Sequence, residues 1–87
     1  MNDTIQKQYY TVTQVGEMLG FSNSKIRYWS DFLGIRTKRS YNNARRFTLD
    51  QIKIMEFVKK QTEDEGRTLA KARIMVIRGL HLNNGHK

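Results

Sequence analysis

Apolar residues recur at helical spacing in four stretches of the chain, separated by Gly, Ser, Thr and Asn and never by proline. In the first, Val15, Met18 and Leu19 fall at i, i+3 and i+4 after Thr13, which predicts a helix of about two turns with Thr13 as N-cap and Gly20 as its left-handed stop. Ser22 is a good N-cap for a second helix from Asn23 to Asp31. Its stripe Ile26, Trp29, Leu33 predicts a buried face, with Ser24, Tyr28 and Asp31 opposite and Lys25 and Arg27 on the flanks. Trp29 has the chemistry to stack on a base, but its place on the apolar stripe assigns it to the core. Tyr28 sits where a core aromatic does not belong, and its hydroxyl is suited to a phosphate. Two helices joined by the short turn Gly20-Phe21-Ser22 predict a helix-turn-helix.

After Gly34 the pattern changes. Ile35 to Arg39 and Arg45 to Thr48 predict two short strands around the turn-forming run Ser40-Tyr41-Asn42-Asn43-Ala44, in which Asn tolerates positive φ. Phe47 is expected to point inward while Arg45 and Arg46 straddle the ribbon. Thr48-Leu49-Asp50-Gln51 then fits a capping box, T-x-x-Q, and opens a third helix to about Thr62 with Leu49, Ile52, Met55 and Val58 toward the core. Glu63-Asp64-Glu65-Gly66 ends it, and Thr68 caps a fourth helix whose stripe is Leu69, Ala72, Val76 and Leu80. Ile74 and Ile77 lie off that stripe. The run Ile74-Met75-Val76-Ile77 is therefore apolar nearly all round, which predicts either a fuller core contact or a contact with a second copy of the chain.

The charge is concentrated where the second helix and the ribbon fall. Sixteen Lys and Arg against 8 Asp and Glu give +8 over 87 residues. Positions 23–47 alone carry Lys25, Arg27, Arg36, Lys38, Arg39, Arg45 and Arg46 against Asp31, a net of +6. Such a block predicts a face for a polyanion, nucleic acid foremost, although basic edge strands also discourage sheet aggregation. With 38% hydrophobic residues the chain suits one small domain, and the absence of cysteine removes disulfides and thiolate metal sites. No apolar run approaches the roughly 20 residues needed to cross a bilayer, so a cytoplasmic protein is expected. His81 and His86 are too few for a structural metal site. No nucleophile–base set, phosphate-binding glycine loop or pair of inward carboxylates occurs, and neither catalysis nor a cofactor is expected.

Several of these features, taken in order, resemble the DNA-binding domain of MerR-type transcriptional regulators. They are Tyr10-Thr11-Val12, Val15 to Ser22, the pair Arg27-Tyr28 followed by Trp29, Asn43-Ala44-Arg45-Arg46-Phe47-Thr48, and Gly66-Arg67-Thr68-Leu69. Together they cover roughly residues 9 to 78. The resemblance implies a mainly α winged helix-turn-helix with a small β-hairpin, four helices plus a two-stranded wing, over 9–80, flanked by flexible tails at 1–8 and 81–87. It implies a recognition helix, 23–31, in the major groove, where Asn23, Ser24, Lys25 and Arg27 face base edges. It also implies a wing, 36–48, on the flanking backbone or minor groove. Tyr28, Arg45 and Arg46 match phosphate-contacting positions, and the predicted wing adds the basic Arg36, Lys38 and Arg39 and, in its turn, Tyr41. Where the family usually has a glutamate after the Arg-Tyr-aromatic triplet this chain has Ser30, and Asn43-Ala44 replaces Gly-Tyr in the wing.

The expected partner is double-stranded DNA, bound by a bacterial regulator in the cytoplasm at the nucleoid. A homodimer is expected through the fourth helix, with Ile74 and Ile77 as contacts, or through a missing C-terminal extension, since regulators of this type usually continue into a long dimerisation helix. Two alternatives stand beside this reading: an excisionase-like architectural factor that bends DNA, and a basic protein-interaction module.

Overall fold

A computed structural model describes residues 8–83 of the chain. Most of the expected N-terminal tail, and His86 in the expected C-terminal one, lie outside the described residues. The elements run β1 (Tyr10–Thr11), α1 (Val12–Leu19), α2 (Asn23–Phe32), β2 (Lys38–Arg39), β3 (Arg45–Phe47), α3 (Leu49–Glu63), α4 (Leu69–Ile77) and a 3-10 turn over Leu80–Asn83. This is the winged helix-turn-helix expected, with one addition. The sheet has three strands in the order β1-β3-β2, not two, because Tyr10 pairs with Phe47 and Thr11 with Arg46 in antiparallel register.

The chain divides into two compact units at Ile52, inside α3. In the first, α1 starts two residues earlier than the sequence suggested. Thr11, not Thr13, is its N-cap: the Thr11 hydroxyl accepts from the Gln14 amide and the Gln14 side chain accepts from the Thr11 amide, a reciprocal capping box. The inward face of α1 is Val15, Gly16 and Leu19, so Met18 lies outside it and is exposed, against expectation. Gly16 faces inward because the turn passes over it. A Cβ there would stand 2.6 Å from the Phe21 carbonyl oxygen, and both the Gly20 and Phe21 amides donate to the Gly16 carbonyl. Ser22 caps α2 as expected, its hydroxyl accepting from the Lys25 amide. Ile26, Trp29 and Leu33 are buried, with the Phe21 ring edge-on to Trp29 at 4.8 Å.

Thr48 and Gln51 form the predicted box at the start of α3. Ile52, Met55 and Val58 are fully buried, but Leu49 is exposed. It is the first residue of the helix, and a helical side chain covers the turn before its own Cα, which Leu49 lacks. In the second unit Thr68 caps α4, and the buried Gln61 is satisfied by the Arg67 guanidinium at 2.8 Å. Ala72 is fully buried, whereas Leu80 has left the stripe and is exposed. The helix ends at Ile77, and Gly79, at φ 76°, turns the backbone away before Leu80 is reached. Among the described residues no helix is long and apolar enough to cross a membrane.

Candidate nucleic-acid interface

The candidate residues gather in the first unit, where the N-terminal ends of α1 and α2 meet the hairpin. There Thr13, Asn23, Arg27, Asn42, Arg45 and Arg46 are among the residues lining a cleft of about 290 Å³. The recognition-helix candidates are all exposed, as expected, but they are not equally free. Asn23 donates from its amide nitrogen to the Thr13 hydroxyl at 3.2 Å, which ties the start of α2 to α1. The Lys25 ammonium lies over the Phe21 ring at 4.1 Å and near that of Trp29 at 5.4 Å. A base contact by Lys25 therefore costs it that resting place, worth about 0.5–1 kcal/mol at an exposed site. Among the described residues the Arg27 side chain has no hydrogen-bond or ion-pair partner, and Ser24 is open to solvent. Tyr28 is 58% exposed and stacks on Phe32, its hydroxyl pointing to no partner among the described residues.

The hairpin is built by its turn. Ser40 donates to Asn42 through side chains, the Asn42 carboxamide oxygen accepts from the Ala44 amide, and the Asn43 amide donates to the Ser40 carbonyl. Asn43 takes φ 66°, the left-handed conformation that its short polar side chain tolerates. Arg39 braces the tip by donating to the Asn43 carbonyl at 3.1 Å, and Tyr41 stands at the tip fully exposed. Gln51 donates to the Arg36 carbonyl at 2.8 Å, anchoring the start of the wing, and the Arg36 side chain has no hydrogen-bond or ion-pair partner among the described residues.

Register puts cation against cation. Lys38 pairs with Arg46 and Arg39 with Arg45 across β2 and β3. Like charges directly opposite destabilise a sheet unless a counter-charge lies beside them. Successive residues of β3 point to opposite faces, and the two arginines the sequence made look equivalent therefore differ. Arg46 and Lys38 share the outer face, where Lys38 lies 6.0 Å from the Tyr9 ring and Arg46 has no ion-pair partner among the described residues. Arg45, on the face of Phe47, turns toward α2 and donates to both carboxylate oxygens of Asp31, at 2.7 and 3.3 Å, and to the Ser30 hydroxyl at 2.7 Å. The Arg45 hydrogen bond, with the charges of Arg45 and Arg39, holds the Asp31 carboxyl below the usual carboxylate value despite the opposing effect of desolvation. Sequence reasoning marked Asp31 only as an outward polar residue and gave Ser30 no role. Nothing local signals a partner fourteen residues away.

A family model described as MerR HTH family regulatory protein matches residues 10–77, most of the chain. The chain belongs to the MerR family of helix-turn-helix regulatory proteins. Among solved structures it is similar to a MerR-family transcriptional regulator from Bacillus thuringiensis, with a TM-score of 0.67 and 23% identity. That similarity covers 88% of this chain and 68% of that one, and it shows the same fold. No curated protein matches the chain. As a MerR-family member the chain is a DNA-binding regulator of transcription and not an enzyme.

Proposed function

We propose that this MerR-family chain reads a specific sequence in double-stranded DNA, with residues 23–31 of α2 in the major groove and the wing, 36–48, on the flanking backbone or minor groove. The observation that carries this reading is the cation-on-cation register of Lys38 with Arg46 on the outer face of the wing, which, unlike that of Arg39 with Arg45 beside Asp31, has no carboxylate among the described residues to offset it. Asn23, Ser24, Lys25 and Arg27 meet base edges, since Lys and Arg suit guanine acceptors and Asn suits adenine. Tyr28, Arg36, Lys38, Arg39, Tyr41 and Arg46 meet phosphates. Arg45, tied to Asp31, is a separate case. The protein works in the bacterial cytoplasm, at the nucleoid. It self-associates through the second unit, where Ile74 and Ile77 are 44% and 65% exposed and Leu80 and Leu82 are exposed beside them in the chain.

Selection of bound duplexes from a random library tests the reading. An enriched inverted repeat is expected, and no enrichment at all would turn the assignment toward an architectural factor or a protein partner. Arg46→Ala is expected to weaken binding to every duplex and to flatten the slope of log K against log salt by about 0.9. Lys25→Ala is expected to lose about 1–3 kcal/mol at particular bases only, and equal losses on all sequences would remove it from the base-reading set. Ile77→Glu is expected to shift the sedimentation profile toward the monomer.

A further inference from the structure

Arg45 is held by more contacts than a cation waiting for phosphate needs. Its guanidinium makes a two-pronged bond to Asp31 and a third bond to the Ser30 hydroxyl, and its side chain is only 16% exposed while that of Asp31 is 68% exposed. The Ser30 hydroxyl is completed from the other side. It is fully buried and donates to the Arg27 carbonyl at 2.9 Å, so its oxygen is left to accept from Arg45. A continuous chain of hydrogen bonds thus runs from the backbone of the recognition helix, through Ser30, to β3 of the wing. A planar guanidinium meeting a carboxylate at two points fixes angle as well as distance, which one ammonium contact does not. No other hydrogen bond between side chains joins α2 to the hairpin among the described residues.

We propose that Asp31 and Ser30 withhold Arg45 from the DNA backbone and make it a positioning residue, one that sets where the wing stands relative to the base-reading side chains of α2. The free positive charge of the wing's outer face is then carried by Arg46 and Lys38, and Asp31 acts as a specificity determinant without touching a base. This rests on the reading of the wing as a DNA contact.

Salt titration of the full chain on a mixed-sequence duplex, followed by fluorescence anisotropy, separates the possibilities. Each phosphate neutralised adds about 0.9 to the slope of log K against log salt, or roughly a three- to fourfold greater loss of affinity between about 50 and 200 mM salt. Arg46→Ala flattens the slope by about that amount and reports on the DNA reading itself. With the proposal correct, Arg45→Ala leaves the slope at the wild-type value. Asp31→Asn releases Arg45, steepens the slope by about 0.9 and tightens binding to mixed sequence, while the double variant Asp31→Asn/Arg45→Ala returns to wild type. A slope flattened by Arg45→Ala and unmoved by Asp31→Asn, with Arg46→Ala behaving as stated, overturns the proposal and leaves the DNA reading intact. A wild-type chain that binds no duplex overturns the DNA reading instead. The positioning role is then decided by amide hydrogen exchange, where Asp31→Asn must speed exchange in the hairpin, 38–47, and unchanged exchange defeats it.

Discussion

The helix-turn-helix and the wing are neighbours in one fifty-residue unit and are closed by different forces. The first is closed by apolar surface: Val15, Leu19, Ile26, Trp29 and Leu33 are buried, and the turn is pressed against the Cβ-free side of Gly16. The wing contributes Phe47 to the buried core and is otherwise held by polar contacts, the Ser40–Ala44 turn and the Arg45 fork on Asp31. Apolar burial is not weakened by ionic screening and is nearly independent of pH, whereas hydrogen bonds around charged groups respond to both. The helix-turn-helix is therefore closed by burial, beside a wing whose pose is set by hydrogen bonds and charge.

Substitutions in the helix-turn-helix are expected to have the largest effect on stability. Trp29→Ala removes a buried ring and its edge-on partner contact with Phe21, and a loss of about 3–5 kcal/mol in urea unfolding is expected. A loss below about 1 kcal/mol would mean that the helix-turn-helix is not closed by this packing. Gly16→Ala comes next. Alanine raises helix propensity by up to about 1 kcal/mol, but the added carbon would meet a backbone oxygen at 2.6 Å, so a net loss of about 1–3 kcal/mol is expected. Unchanged stability would show that the turn yields without strain.

That second substitution also marks where the sequence stops being legible. Periodicity and capping chemistry locate all four helices, because those signals are local. The box at Thr48 and Gln51 and the caps at Ser22 and Thr68 are readable as short motifs. The same T-x-x-Q signature stands at Thr11 and Gln14, and it marks the true start of α1, where the apolar spacing alone pointed to Thr13. Strand β1 spans two residues, too short for alternation to register. Contacts between distant residues leave no periodic trace. Gly16 under the Phe21 carbonyl, Ser30 fully buried in α2, and Asp31 paired with Arg45 are consequences of the tertiary fold. The charge block marked a candidate binding face, yet only strand register separates Arg46, facing outward, from Arg45, facing the helix.

Within the wing the effects are expected to be smaller and confined to the hairpin. Asn43→Val places a β-branched residue at φ 66°, with an expected cost of about 1–2 kcal/mol, while Asn43→Gly is expected to be close to neutral. Equal losses for the two would show that the Asn43 side chain, and not its backbone conformation, holds the turn. Backbone amide shifts should report either change at 40–44 and leave α1 silent.

The smallest effect is the one that isolates the electrostatic half of the comparison. Asp31 lies below its ordinary value of 3.8 because the charged carboxylate accepts from Arg45, with Arg39 adding its field. A carboxyl whose folded value is depressed contributes its stabilisation above the unfolded value and loses it as pH falls through the folded one. The link between wing and recognition helix is therefore complete from neutral pH down to the ordinary carboxylate range and is released only below it. A carboxyl-carbon titration by NMR is expected to give Asp31 a midpoint below 3.8, with the hairpin amides around Arg45 following the same curve and the Trp29 indole signal not following it. In Arg45→Ala the midpoint moves back toward the ordinary value. An ordinary midpoint in the wild-type chain would mean that the fork on Asp31 does not hold in solution, and the wing would then lack the contact that distinguishes its inward arginine from its outward one.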